Sequence, residues 1–82
     1  MSRHTLGAFV VGTRREQGLT QDQLLQKVNE QTRLKEISRT TLSEIERGNL
    51  LPKIDVMFMV ADALGVSMDE IRTAVFKEGR FL

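Results

Sequence analysis

Apolar residues recur along this chain at intervals of three and four rather than two, a spacing that predicts helices throughout and no strand of any length. Leu6, Phe9, Val10 and Thr13 share one face of a first helix, which ends near Gly18, a residue suited to the left-handed turn that closes helices. Thr20 and Gln23 make the T-x-x-Q pattern of a capping box, so a second helix starts at Gln21 and turns Leu24, Leu25 and Val28 inward. Ser38 is the next N-cap. In the segment it opens, Leu42 and Ile45 point one way while Arg39, Thr40, Ser43, Glu44 and Arg47 point another, and Gly48 ends it. After Pro52, Asp55 lies in the first turn of a fourth helix, where its charge suits the dipole, and Ile54, Met57, Phe58, Ala61 and Leu64 form the expected buried stripe. Gly65 closes that helix, and Ser67-x-x-Glu70 is a second capping box that opens a fifth through Ile71, Ala74 and Val75. The pattern reads as all-α, with no internal repeat.

At 82 residues the chain is one domain, and at 40% hydrophobic and 28% charged it has the balance of a soluble globule. It has no cysteine, which removes disulfides, thiolate metal sites and a cysteine nucleophile. The apolar run in MSRHTLGAFVVG meets Arg14-Arg15 without a cleavage pattern, so export is not expected and a cytoplasmic location is. No apolar stretch approaches the roughly 20 residues of a membrane span. The net charge of +1 does not suggest nucleic acid, but its distribution does. Residues 1–53 carry nine basic and six acidic side chains, whereas residues 54–82 carry three and five. If phosphate is the partner, the first part faces it.

The segments LTQDQL (19–24), SRTTLSEIERG (38–48) and ADALGVSMDEI (61–71), in this order with Pro52 between, resemble the Cro/repressor-type helix-turn-helix family. The match covers nearly the whole chain, and three segments in register are far more specific than a lone helix-turn-helix pattern. The resemblance implies a five-helix, lambda repressor-like DNA-binding domain over 1–82, with the helix-turn-helix at about 20–48 and a C-terminal tail at 76–82. It further implies double-stranded DNA as partner, no cofactor, and a role in transcription regulation as repressor or activator in a phage or bacterial setting.

By that resemblance the helix from Ser38 is the recognition helix, and Arg39 and Thr40 hold the first reading positions. Arginine suits a bidentate bond to guanine O6 and N7, while threonine hydrogen-bonds a base or phosphate or packs on a thymine methyl. Ser43 and Glu44 come next on that face. Glu44 either accepts from cytosine N4 or orients Arg39 or Arg47, and orientation is the favoured reading. Gln21 resembles the family's phosphate-clamping glutamine, Ser38 is a further phosphate-contact candidate, and Arg47, Asn49 and Lys53 line the following loop where phosphates pass. The plain alternative for these is solvated surface. Arg14 and Glu46 match a pair that ties the first helix to the recognition helix, a structural role.

Two departures stand out. Between Val28 and Ile37 the family has about one residue, whereas this chain has NEQTRLKE (29–36). That insert either lengthens the second helix by nearly two turns, resembling POU-specific domains, or forms a loop. Arg33 and Lys35 within it either reach phosphate or form an exposed polar face. The second departure is apolar: Ala8, Phe9, Val10 and Val11 are consecutive, and the tail FKEGRFL adds Phe76, Phe81 and Leu82. Either the tail covers Phe9 within one chain, or Phe9, Phe76, Phe81 and Leu82 are contacts of a homodimer on an inverted repeat.

An enzyme is not expected, because the only histidine, His4, falls in an end expected to fray, and no nucleophile-base set, phosphate loop or metal-ligand spacing occurs. Met57 and Met59 read as core filler. The rival to DNA binding is a protein-interaction module, antitoxin-like, that engages a larger protein through its apolar faces.

Overall fold

A computed structural model describes residues 3–31 and 36–76 of the chain. They form α1 (Arg3–Glu16), α2 (Gln21–Asn29), α3 (Arg39–Glu46), α4 (Ile54–Leu64) and α5 (Met68–Val75). Three of the helix starts, those of α2, α3 and α5, fall where a side chain supplies an acceptor to the first turn. Thr20 and Ser67 both close reciprocal capping boxes with Gln23 and Glu70, and Ser38 accepts from the Thr41 amide. Three of the helix ends fall at glycines: Gly18, Gly48 and Gly65 all have positive φ, a conformation in which a side chain would be strained. His4 lies in the first turn of α1, and its side chain is outside the described residues.

The helices enclose one core. α1 packs on α3 and α5, α2 on α3 and α4, and α4 on α5. Leu6 and Val10 of α1, Leu24 and Val28 of α2, Leu42 and Ile45 of α3, and Ile71 of α5 are all essentially inaccessible. Phe9 and Leu25 are partly buried against the same cluster. Met59 is in the core and Met57 lies against it, so the methionines fill space as expected.

The buried stripe of α4 differs from the expected one. Ala61 and Leu64 are buried, but Ile54 is 59% and Phe58 49% exposed, while Val56, Met59, Val60 and Ala63 face the core instead. α4 is apolar almost all round, so two stripes fit its periodicity nearly equally well. The buried Pro52 before it and the packing against α2 and α5 select the face. Asp55 and Asp62, two turns apart, mark the solvent side.

The insert is settled at its two ends. α2 stops at Asn29 rather than running on, with Glu30 as its C-cap. Asn29 then holds the far end of the connection: its Oδ1 accepts from the Ile37 amide at 2.9 Å and its Nδ2 donates to the Ile37 carbonyl at 3.0 Å. This amide clamp restores at Ile37 the short separation that a tight turn would give, and Ile37 enters the core. Arg33 and Lys35, like Phe81 and Leu82, lie outside the described residues.

Among the described residues no helix is long and apolar enough to cross a membrane, and no cluster of His, Cys, Asp or Glu could hold a metal ion.

Candidate nucleic-acid interface

α3 is set in place mainly from its C-terminal half. Arg14 of α1 donates to both carboxylate oxygens of Glu46, Nε to Oε2 at 2.9 Å and Nη2 to Oε1 at 3.1 Å, and its Nη1 donates to the Leu19 carbonyl at 3.0 Å. The side chains retain only 12% and 6% exposure, so this forked pair works where water screens it little. The structural ion pair expected of Arg14 and Glu46 is therefore present.

Gly7 marks the closest approach of the same two helices. A methyl there would lie 2.6 Å from the Ile45 carbonyl oxygen and 2.7 Å from that of Glu46. Glycine is needed at this point for space, not for a turn. Nothing in the hydrophobic periodicity marks it, and the sequence reading passed over it.

Gln21 joins the start of α2 to α3. Its Nε2 donates to Glu46 Oε1 at 3.1 Å, and its Oε1 accepts from the Ser43 hydroxyl at 3.1 Å and lies 3.5 Å from Arg39 Nε. The two helices of the helix-turn-helix are thus joined by an amide whose neighbours are all positions expected at the DNA face or the structural pair.

The N-terminal turn of α3 contrasts with this. Ser38 caps it, its Oγ 3.0 Å from both the Thr41 amide and the Thr41 hydroxyl. Arg39 and Thr40 are exposed. Arg39 lies 3.4 Å from Asp22, but both side chains are about two-thirds exposed, and such a pair contributes roughly 0–1 kcal/mol, too little to keep the guanidinium from a better partner.

Among the described residues Glu44 forms no ion pair with Arg39 or Arg47. Its Oε2 accepts from Asn49 Nδ2 at 3.0 Å. The cause is local: Gly48 at φ 79° turns the chain back, the Asn49 amide donates to the Glu44 carbonyl at 2.9 Å, and the two side chains meet above that bond. Arg47, Asn49 and Lys53 are all exposed on the loop side, Arg47 at the C-cap of α3 and Lys53 at the N-cap of α4.

A helix-turn-helix family model matches residues 13–71, which takes in every residue of this arrangement except Gly7. The chain belongs to that family. The immunity repressor protein of Bacillus phage phi105 is 36% identical over 67 residues, which is 82% of this chain but only 42% of the relative. The chain therefore spans less than half the length of that protein. Among solved structures, the clp gene regulator ClgR of Corynebacterium glutamicum superposes with a TM-score of 0.75 at 26% identity, covering 93% of this chain and 73% of that one. A mutant restriction-modification controller protein superposes with a TM-score of 0.72 at 26% identity, covering 93% and 87%. This helix-turn-helix domain shares the five-helix fold of both.

Away from α3, Phe9 and Phe76 are partly buried against the core. Beside Phe9 a cleft of about 550 Å³ opens between α1 and α5, lined by Thr5 and Ala8 on one side and Asp69, Thr73 and Ala74 on the other.

Proposed function

We propose that this domain, a helix-turn-helix DNA-binding regulator by family, reads duplex DNA with the exposed first turn of α3 and works as a dimer on an inverted repeat. The observation that carries the reading is the division of α3: its C-terminal half is clamped to α1 and α2, while Arg39 and Thr40 project from its start with only weak partners. In this reading Arg39 donates to a guanine and Thr40 and Ser43 meet neighbouring base edges. Glu44, next on that face, holds the Asn49 amide in place. Ser38, Gln21, Arg47, Asn49 and Lys53 meet phosphates and fix the register. The match to a phage immunity repressor supports repression of transcription in a phage or bacterial cytoplasm, with binding and not catalysis as the activity.

Selection of bound duplexes from a random pool, followed by titration of the winner against salt, tests this. An enriched inverted repeat whose affinity falls steeply with salt is the expected result. Failure to enrich any sequence would sink the reading. It would favour the second one, a protein-interaction module, for which the exposed Leu50, Ile54 and Phe58 provide a surface.

A further inference from the structure

The polar contacts that Arg39 makes with the described residues all run through one edge of its guanidinium. Nε lies 3.4 Å from Asp22 Oδ1 and 3.5 Å from Gln21 Oε1. The nearby Gln21 oxygen is fixed from the clamped half of α3. Glu46 only accepts, so it draws Nε2 of Gln21 and turns Oε1 toward Ser43 and Arg39. Asp22 has no such tie. It stands in the first turn of α2, and among the described residues its carboxylate pairs only with Arg39. The outer edge of the guanidinium, Nη1 and Nη2, is left without a partner among those residues.

An aspartate at a helix start suits the dipole. Its place beside the proposed DNA face does not follow from that. Arg39 and Thr40 are exposed there, and a carboxylate next to them repels phosphate and opposes the one positive charge in the first turn of α3. Glu44, the acid further along α3, is taken up by Asn49, so Asp22 is the anion that acts on Arg39. Salt screens charges over roughly 8 Å at physiological strength, and a pair 3.4 Å apart therefore acts as a nearly neutral unit toward a phosphate beyond that range. The pair is also weak enough that guanine, with two charge-assisted bonds to offer, still draws the outer edge.

We propose that Asp22 is a specificity-determining residue, a counter-charge that withholds Arg39 from phosphate and leaves its outer edge to guanine. At a site that offers guanine, Nη1 and Nη2 bond O6 and N7 while Nε stays beside Asp22 and Gln21, so recognition does not require the pair to break. At any other sequence the arginine has no base partner. The charge it would lend to sequence-independent phosphate binding is then offset by the carboxylate. Non-specific binding is weakened more than specific binding. Discrimination is a difference of two affinities, and lowering the lesser one raises it as well as strengthening the greater does. Asp22 touches no base; it is a positioning residue that acts through Arg39.

This rests on the reading of α3 as the helix that meets the bases, and the test separates the two. The parent chain, Asp22→Asn, Asp22→Glu, Arg39→Ala and the double variant Asp22→Asn with Arg39→Ala are each titrated over a range of salt. The duplexes are a half-site selected by the parent and an unrelated sequence, and thermal melts confirm folding. Asp22→Asn should melt near the parent and bind the unrelated duplex about two- to fivefold more tightly, with a salt slope steeper by about one unit. Its affinity for the selected half-site should stay within about twofold of the parent, so the ratio of the two affinities falls. Asp22→Glu, which keeps the charge, should keep the ratio, and in the Arg39→Ala background Asp22→Asn should bring no gain. Equal gains on both duplexes make Asp22 a plain repulsive charge and overturn the proposal. A gain as large without Arg39 takes the arginine out of the effect and overturns it too. A lower melting temperature with the ratio unmoved leaves Asp22 only its place at the helix dipole, and a loss confined to the selected half-site makes it an ordinary aid to docking; each overturns the withholding role. A parent chain that selects no duplex defeats the DNA reading and this proposal with it, a failure seen in the parent alone.

Discussion

The two halves of α3 are built to opposite rules. In the C-terminal half, Glu46 is nearly buried and takes three hydrogen bonds, two from Arg14 and one from Gln21, while Gly7 lets α1 press onto the carbonyls of Ile45 and Glu46. In the N-terminal turn, Arg39 and Thr40 are exposed, and the nearest charge to Arg39 is as solvated as Arg39 itself. A side chain that must find a base edge needs freedom until it binds, but its helix must already be placed to a fraction of an ångström. Separating the two tasks along eight residues meets both needs.

The largest effects should therefore come from the clamped half and appear as lost folding, not altered specificity. Glu46→Ala leaves Arg14 largely buried without its partner, a change that costs about 3–5 kcal/mol in such pairs. A domain of this size has little more to lose, so thermal melting should show most molecules unfolded near 37 °C. If the charge is the cause, combining Arg14→Met with Glu46→Leu should melt higher than Glu46→Ala. A double variant as unstable as the single would mean that the hydrogen bonds to Gln21 and to the Leu19 carbonyl carry the junction instead.

Gly7→Ala probes the same junction without touching a charge. The added methyl meets backbone oxygens that cannot turn aside, so the helices must part, and overpacking of this kind costs roughly 1–3 kcal/mol. The comparison sharpens if DNA affinity falls further than the fraction folded accounts for, because α3 would then have been displaced in molecules that remain folded. A melting temperature unchanged from the parent would show that α1 and α3 are not held so closely.

At the free end the expectation reverses. Arg39→Ala should leave stability within about 0.5 kcal/mol, since the residue is exposed and its ion pair weak. It should lose roughly 1–3 kcal/mol of affinity on the selected site and relax base preference at one position per half-site. Equal loss on every sequence would reassign Arg39 to phosphate.

Much of this arrangement was legible in the sequence because it rests on local chemistry. Capping residues announce helix starts within three positions, as Thr20, Ser38 and Ser67 do, and glycines announce ends, as Gly18, Gly48 and Gly65 do. The Arg14–Glu46 pair was legible only by resemblance, because nothing within 32 positions of chain ties one to the other. What could not be read was tertiary. The face of α4 was undecided because nearly every position in it is apolar, although Asp55 and Asp62 carried a usable hint of its outside. Asn29 looks like any polar residue closing a helix until Ile37 is found within reach of both its side-chain atoms. Glu44 was open between a base edge and an arginine on its helix face, and the turn at Gly48 supplied a donor that neither reading named, Asn49.

Ser38 sits at the boundary between the two regimes. Ser38→Ala removes the acceptor for the Thr41 amide, a loss worth about 1 kcal/mol at an N-cap. Both stability and affinity should fall by comparable small amounts, because the same turn that is capped presents Arg39. If affinity falls while the melting temperature holds, Ser38 is a DNA contact first and a cap second.

The smallest expected effect belongs to Lys53, and it distinguishes a positioning contact from a reading one. Lys53 is exposed, precedes α4 and forms no capping bond, so Lys53→Ala should leave the fold intact. Removal of one phosphate contact should weaken half-sites of every sequence alike and lower the salt slope by about one unit. Half-site duplexes are the decisive substrate, because each reports on one domain alone. A change confined to the full repeat, with the half-site salt slope intact, would assign Lys53 to the contact between copies. It would then leave Arg47 and Asn49 to hold the phosphates on that side of α3.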